Sequence, residues 1–187
     1  MSGKEENVTE EQVVAATILW LENVVIGLNL CPFAKAIHVK NQIRFVVSLA
    51  CESIGLLDVF KRELSLLVAT DPVQIESTLL IHPRVLRDFV EFNHFLAGCD
   101  FAIEELELAG VVQVASFHPQ YQFAGTKIDD VTNYTNRSPF PMLHLLREES
   151  VTRAVESFSD VESIYQKNMA TLKKLGKAGV ERLFRVG

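Results

Sequence analysis

Two histidines stand in the same local setting, Leu80-Ile81-His82-Pro83 and Ser116-Phe117-His118-Pro119. Each closes an apolar run and precedes a proline, which lacks the N–H that a continuing strand would use. Both therefore read as residues fixed at the end of a rigid strand. Imidazole titrates near neutral pH, so two of them on one sheet edge make an acid and a base. A single His-Pro at a strand end is usually just a turn, and His82 can equally cap the helix after it. Two such ends beside a polar loop favour a ligand site.

That loop runs from His118 to Pro139, long for a strand connection. It carries Tyr121, Lys127, Asp129, Asp130, Asn133, Asn136 and Arg137. A guanidinium offers a planar fork to phosphate or carboxylate, so Arg137, helped by Lys127, is the expected anchor of an anionic substrate. Tyr121, Asn133 and Asn136 are expected to bind the same molecule. His118 and His82 would exchange the proton, with Asp130 or Asp129 orienting an imidazole. The same residues allow a second chemistry: His82, His118 and Asp129 as ligands of a divalent metal such as Zn or Fe, with open positions. A third reading is a non-catalytic interaction module, with the loop as its recognition surface.

Cys31 is a further candidate. Pro32 after it marks a first helical position, which makes Cys31 the N-cap of a short helix over about 32–38. A helix N-terminus and Lys35 one turn on would favour a thiolate nucleophile. Packing as a small apolar group between Leu30 and Phe33 explains the same residue equally well. Cys51 and Cys99 read as core or near-core residues. His144, in Leu143-His144-Leu145, reads as a satisfied sheet histidine, and Arg147 as half of an ion pair with Glu148 or Glu149. The chain has no Gly-rich phosphate loop, Cys-X-X-Cys, His-Glu-X-X-His or Gly-X-Ser-X-Gly. P-loop hydrolysis, dinucleotide redox chemistry, zincin proteolysis and the hydrolase elbow are thereby disfavoured.

The elements that must position these residues follow from periodicity. Thr9-Glu10-Glu11-Gln12 is a capping box before a helix whose apolar residues recur at 3.6 spacing through Leu28. Strands are expected at 43–50, 77–82, 111–118 and 142–147, with helices at 54–69, 84–107, 150–158 and 160–175. Ser159-Asp160-Val161-Glu162 is a second capping box. Helices between the first three strands imply parallel pairing. The fourth strand follows the third without a helix and should be antiparallel to it. The expectation is one compact α/β domain over 9–187, with a mixed four-stranded sheet of three parallel strands plus one antiparallel, behind a disordered tail over 1–8.

Bulk properties agree with a globular chain: 187 residues, 48% hydrophobic, 22% charged, net charge −6. Lys61-Arg62 and Lys173-Lys174 are too short to form the basic face that nucleic acid needs, so no nucleic-acid partner is expected. Three cysteines form no disulfide framework, and the polar N-terminus lacks a signal region. The apolar run 13–30 is broken by Glu22, Asn23, Gly27 and Asn29, so no membrane span is expected either. These features point to the cytoplasm. The sequence leaves the oligomeric state open.

Several segments resemble a mainly bacterial family known as domain-of-unknown-function family 1415. They are Trp20-Leu21-Glu22, Leu28-Asn29-Leu30-Cys31-Pro32-Phe33-Ala34, Leu79-Leu80-Ile81-His82-Pro83, and Phe117-His118-Pro119-Gln120-Tyr121-Gln122-Phe123. The last continues through Asn133-Tyr134-Thr135-Asn136-Arg137-Ser138-Pro139 to Leu143-His144-Leu145-Leu146-Arg147-Glu148. The likeness extends over about residues 10–180. It implies a compact bacterial domain and brings no activity or catalytic residue with it.

Overall fold

A computed structural model describes residues 8–156 and 161–184, without the side chains of 154 and 161–163. Residues 1–7 of the expected tail and the Ser159–Glu162 capping box lie outside the described residues.

Thr9 opens the first helix as its composition requires. Its hydroxyl accepts from the Gln12 N–H at 3.3 Å, and the Gln12 side chain accepts from the Thr9 N–H at 2.9 Å, a reciprocal cap. Helix α1 spans Glu10–Trp20 and continues as a π-helical turn, Leu21–Ile26. The altered winding brings backbone onto Gly27: a Cβ there would lie 2.4 Å from the Asn23 carbonyl oxygen. Only glycine fits. Asn29 then turns the chain at φ 53°.

The remaining elements are α2 Ala34–Val39, β1 Ile43–Val47, α3 Ser53–Ala69, β2 Ser77–Ile81, α4 Phe89–Glu105, β3 Val112–Phe117, β4 Met142–Arg147, α5 Glu148–Glu156 and α6 Val161–Phe184. A 3-10 turn, Val131–Thr135, lies in the loop before β4, and Gly176 at φ 69° kinks α6. Helix α4 starts five residues later than periodicity indicates. The Asp88 carboxylate accepts from the N–H groups of Val90 and Glu91 and fixes the start there. Pro83–Asp88 is therefore a loop, with Leu86 at φ 55°.

The sheet is mixed and four-stranded, in the order β1-β2-β4-β3. β1 and β2 pair in parallel, while β4 is antiparallel to both β2 and β3. The first three strands thus run in one direction, but β2 and β3 are not neighbours, because β4 lies between them. Burial explains the order. Every residue of β2 is buried, as are Met142, Leu143 and Leu145 of β4, whereas β1 and nearly all of β3 are only half-buried. The two most buried strands are the two central ones.

Alternate residues feed two cores. Leu79, Ile81 and Met142 pack with Trp20, Val24 and Leu172 on one face. Leu80, Leu143 and Leu145 pack with Leu56, Phe60, Leu64 and Phe92 on the other. Arg147 does not ion-pair with its acidic neighbours. Its guanidinium donates to the carbonyls of Leu67, Thr70 and Ile75 at 2.5, 2.7 and 3.1 Å and so satisfies acceptors at the end of α3 and in the connection to β2. Glu149 pairs with Arg153 instead, at 2.9 Å.

Candidate functional site

His82 and His118 lie on one sheet edge, each just past the end of its strand and on either side of the lead-in to β4. The His82 N–H donates to the Pro141 carbonyl at 3.0 Å, and the His118 N–H to the Asn136 carbonyl at 3.1 Å. Both imidazoles pack on the buried Phe92, with ring centroids 5.6 and 5.2 Å away. The sequence-derived pairing of these two residues is therefore real in space.

Their surroundings are dry. Both side chains are fully buried. His82 Nδ1 lies 3.0 Å from the Val85 carbonyl, which can only accept, so this nitrogen carries the proton. Its Nε2 is buried without a hydrogen-bond partner. Burial, aided by the neighbouring His118, pulls the His82 pKa down to about 4, against the opposing effect of the Val85 bond. His118 uses both nitrogens: Nδ1 accepts from the Gln120 N–H at 3.0 Å and Nε2 donates to the Leu86 carbonyl at 3.2 Å. Burial lowers its pKa as well, with hydrogen bonding to Leu86 and Arg87 and the nearby Asp88 working in the opposite direction. Both rings are neutral at pH 7. Together they hold two consecutive carbonyls of the Pro83–Asp88 loop.

The polar residues of the 118–139 loop bind chiefly one another. Asn133 is fully buried. Its Oδ1 accepts from the Phe123 N–H at 3.0 Å and the Thr126 hydroxyl at 2.8 Å, and its Nδ2 donates to the Lys127 carbonyl at 2.8 Å. Asn136 donates to the Ser116 carbonyl at 3.1 Å and ties the loop to β3. Asp130 caps the 3-10 turn through the Thr132 N–H and hydroxyl, and these bonds lower its pKa. Tyr121 packs between Phe89 and Phe123, tilted against the first and edge-on to the second, with ring centroids 5.0 Å from each. Lys127 and Asp129 are exposed.

Arg137 donates through Nε to the Tyr121 carbonyl at 3.1 Å and through a terminal nitrogen to the Ile128 carbonyl at 2.5 Å. Its guanidinium lies over the Tyr134 ring at 4.8 Å, while its own carbonyl accepts from the Trp20 indole at 3.0 Å. These contacts bear on the variant Arg137→Ala. An exposed side chain with no partners would change stability by no more than about 0.5 kcal/mol. With two carbonyls and a cation–π contact to lose, we expect roughly 1–2 kcal/mol, read as a lower urea midpoint. A midpoint unchanged from wild type would show that the guanidinium contributes nothing to the loop.

Cys31 does not cap α2, whose N-cap position falls on Phe33. Its side chain packs against the core that contains Trp20 and Leu30, and burial pushes its thiol up to about 11. It is protonated at neutral pH. Cys99 is buried, with a thiol raised to about 12, while Cys51 is exposed. His144 lies on the Met142 face of β4, yet its Nε2 is buried without a partner and its pKa falls to about 4. It is not the satisfied histidine that its position implies.

An open depression of about 620 Å³ is lined in part by Val85 and Leu86, whose carbonyls the two imidazoles bind. It is lined by Cys51–Ile54 at the start of α3 and by Arg84–Asp88 and Glu91. Helix α3 begins after Glu52, whose side chain makes no capping bond, so amide N–H groups of the first turn remain open to a ligand. His82, His118 and Arg137 do not line this cavity, nor do Cys31, Tyr121, Lys127, Asn133, Asn136 or Asp130. Sequence reading missed Arg84 and Arg87 because helical spacing absorbed them into α4. Asp88 with Glu91 three residues on was the available signal for a later helix start, leaving a loop after a strand end, where open α/β sheets hold ligands.

The sequence profile of the family described as "Protein of unknown function (DUF1415)" matches residues 12–182. No curated protein and no solved structure matches the chain.

Proposed function

The chain belongs to this family of proteins of unknown function, DUF1415, and on that premise we propose that it binds a small anionic molecule, a phosphate or carboxylate, between the start of α3 and the Pro83–Asp88 loop. One observation carries the reading: a single concavity of about 620 Å³ gathers Arg84, Arg87 and the uncapped first turn of α3. Guanidinium forks and helix N-terminal N–H groups are the two protein features best matched to such anions.

Preorganisation supports the same reading. Leu86, a bulky residue in the left-handed region at φ 55°, costs on the order of 1–2 kcal/mol to hold there. His82 and His118 hold it, by binding the Val85 and Leu86 carbonyls. In this reading the imidazoles are positioning residues. They do not exchange protons with the ligand in this reading, because His118 has both nitrogens committed and His82 Nε2 is buried. The metal reading loses its ligand set. Asp129 is exposed on the loop, and among the described residues no three His, Cys, Asp or Glu side chains gather as a metal site. No described helix is long and apolar enough to cross a membrane.

The test is thermal shift against a panel of phosphates and carboxylates. A ligand at a hundredfold excess over its Kd stabilises by about 2.7 kcal/mol, which for a chain of this size raises Tm by roughly 5–10 °C. That shift should vanish in the double variant Arg84→Gln/Arg87→Gln and survive in Arg137→Ala. Equal shifts in wild type and the double variant would place the ligand elsewhere.

A further inference from the structure

The same cavity carries charge of both signs. Arg84 and Arg87 line it together with Glu52, Asp88 and Glu91. Asp88 is committed to capping α4 through Val90 and Glu91. The other four charged side chains make no hydrogen bond or ion pair among the described residues, although ion pairs bridge other parts of the surface: Arg44 with Glu63, Lys61 with Glu105 and Arg153 with Glu149. Two arginines and two glutamates, all exposed, thus line one open depression without pairing with each other among the described residues.

A purely anionic ligand would meet Arg84 and Arg87 but also the repulsion of Glu52 and Glu91. A purely cationic ligand would meet the reverse. Only a molecule bearing both signs pairs with all four groups. We infer that the ligand is zwitterionic: a phosphate or carboxylate held by Arg84, Arg87 and the α3 amides, joined by a short linker to an ammonium group held by Glu52 and Glu91. The inference rests on the anion-binding reading above and adds the second pole. The two arginines and two glutamates form no ion pair with one another among the described residues, so each is open to a ligand group of opposite sign.

Four probes separate the possibilities by titration calorimetry on the full chain: inorganic phosphate, ethylammonium, phosphoethanolamine and β-alanine. One of the two zwitterions should bind about fivefold more tightly than phosphate, the effect of one additional partly exposed ion pair. The preferred zwitterion also names the anionic group. Glu91→Gln should weaken that zwitterion about fivefold and leave phosphate binding unchanged or slightly stronger. Glu52→Gln repeats the measurement at the other carboxylate should Glu91→Gln fold poorly. If phosphate binds as tightly as both zwitterions, the ammonium pole is wrong and the anion site stands. If ethylammonium matches phosphoethanolamine, the site is cationic and the inference fails. If none of the four binds at millimolar concentration, the inference and the anion-binding reading fall together.

Discussion

Acidification from pH 7 to about pH 4.5 is expected to remove roughly 2.5 kcal/mol of folding stability through His82 alone. The sign follows from its burial. The folded-state pKa is about 4, below the ordinary value near 6.5 that the unfolded chain recovers. Below pH 6.5 the unfolded state binds the proton and the folded state does not. Stability is therefore full at neutral pH and declines as pH falls from about 6.5 toward 4. His144, also lowered to about 4 by burial, and His118, lowered in the same sense, steepen the decline. Urea unfolding at pH 7.5, 6 and 4.5 measures the slope, and His82→Gln should flatten it even where its absolute stability is lower. His144→Gln, on the opposite face of the sheet, gives an independent second slope. A wild type equally stable at all three pH values would mean that these rings are hydrated or protonated in the fold.

Asn133→Ala is the substitution expected to cost most among the loop residues. The side chain is fully buried and serves three partners: the Phe123 N–H, the Thr126 hydroxyl and the Lys127 carbonyl. Alanine leaves all three without it, in a setting where each unsatisfied buried group costs about 1–3 kcal/mol. Relaxation and water entry recover part of that, and about 3 kcal/mol in total is expected, a Tm lower by roughly 6–12 °C. Amide exchange should quicken at Phe123 and through the 3-10 turn before it quickens in β2. A Tm within about 2 °C of wild type for the alanine variant would show that the aromatic contacts of Tyr121 and Phe123 suffice to hold the loop.

The strands and most helices were legible because their signals are local. The Thr9 capping box, the proline stops after His82 and His118, and the spacing of Leu64 and Leu67 each act within one or two turns of chain. Strand order was not local. Placing β4 between β2 and β3 depends on comparing the burial of three distant segments, and the helices between the first three strands said only that they run in one direction. The loop misled for a different reason. Asn133, Asn136, Asp130 and Arg137 are residue types that bind ligands, but the same donors and acceptors satisfy a long loop's own backbone, and composition cannot tell the two uses apart. Arg84 and Arg87 were hidden by the opposite error, since residues after Pro83 keep helical spacing while Leu86 breaks the helix. Cys31 illustrates the limit of capping logic: a proline marks where a helix can start, and the packing of Leu30 and Cys31 into the Trp20 core set the start two residues later.

The position of β4 has a consequence for synthesis. A ribosome delivers β1, α3 and β2 first, and these can pair at once. The other edge of β2 pairs Ser77 with Leu146 and Ile81 with Met142, so it stays open while α4, β3 and the whole polar loop emerge. During that interval a strand whose every residue is buried in the finished fold presents bare N–H and carbonyl groups, the condition under which nascent chains pair wrongly with one another. The loop's internal bonds then gain a second value. By folding on itself around Asn133, the segment shortens the tether between β3 and β4, favours their closing as a hairpin, and limits how long the nascent edge of β2 is left unprotected.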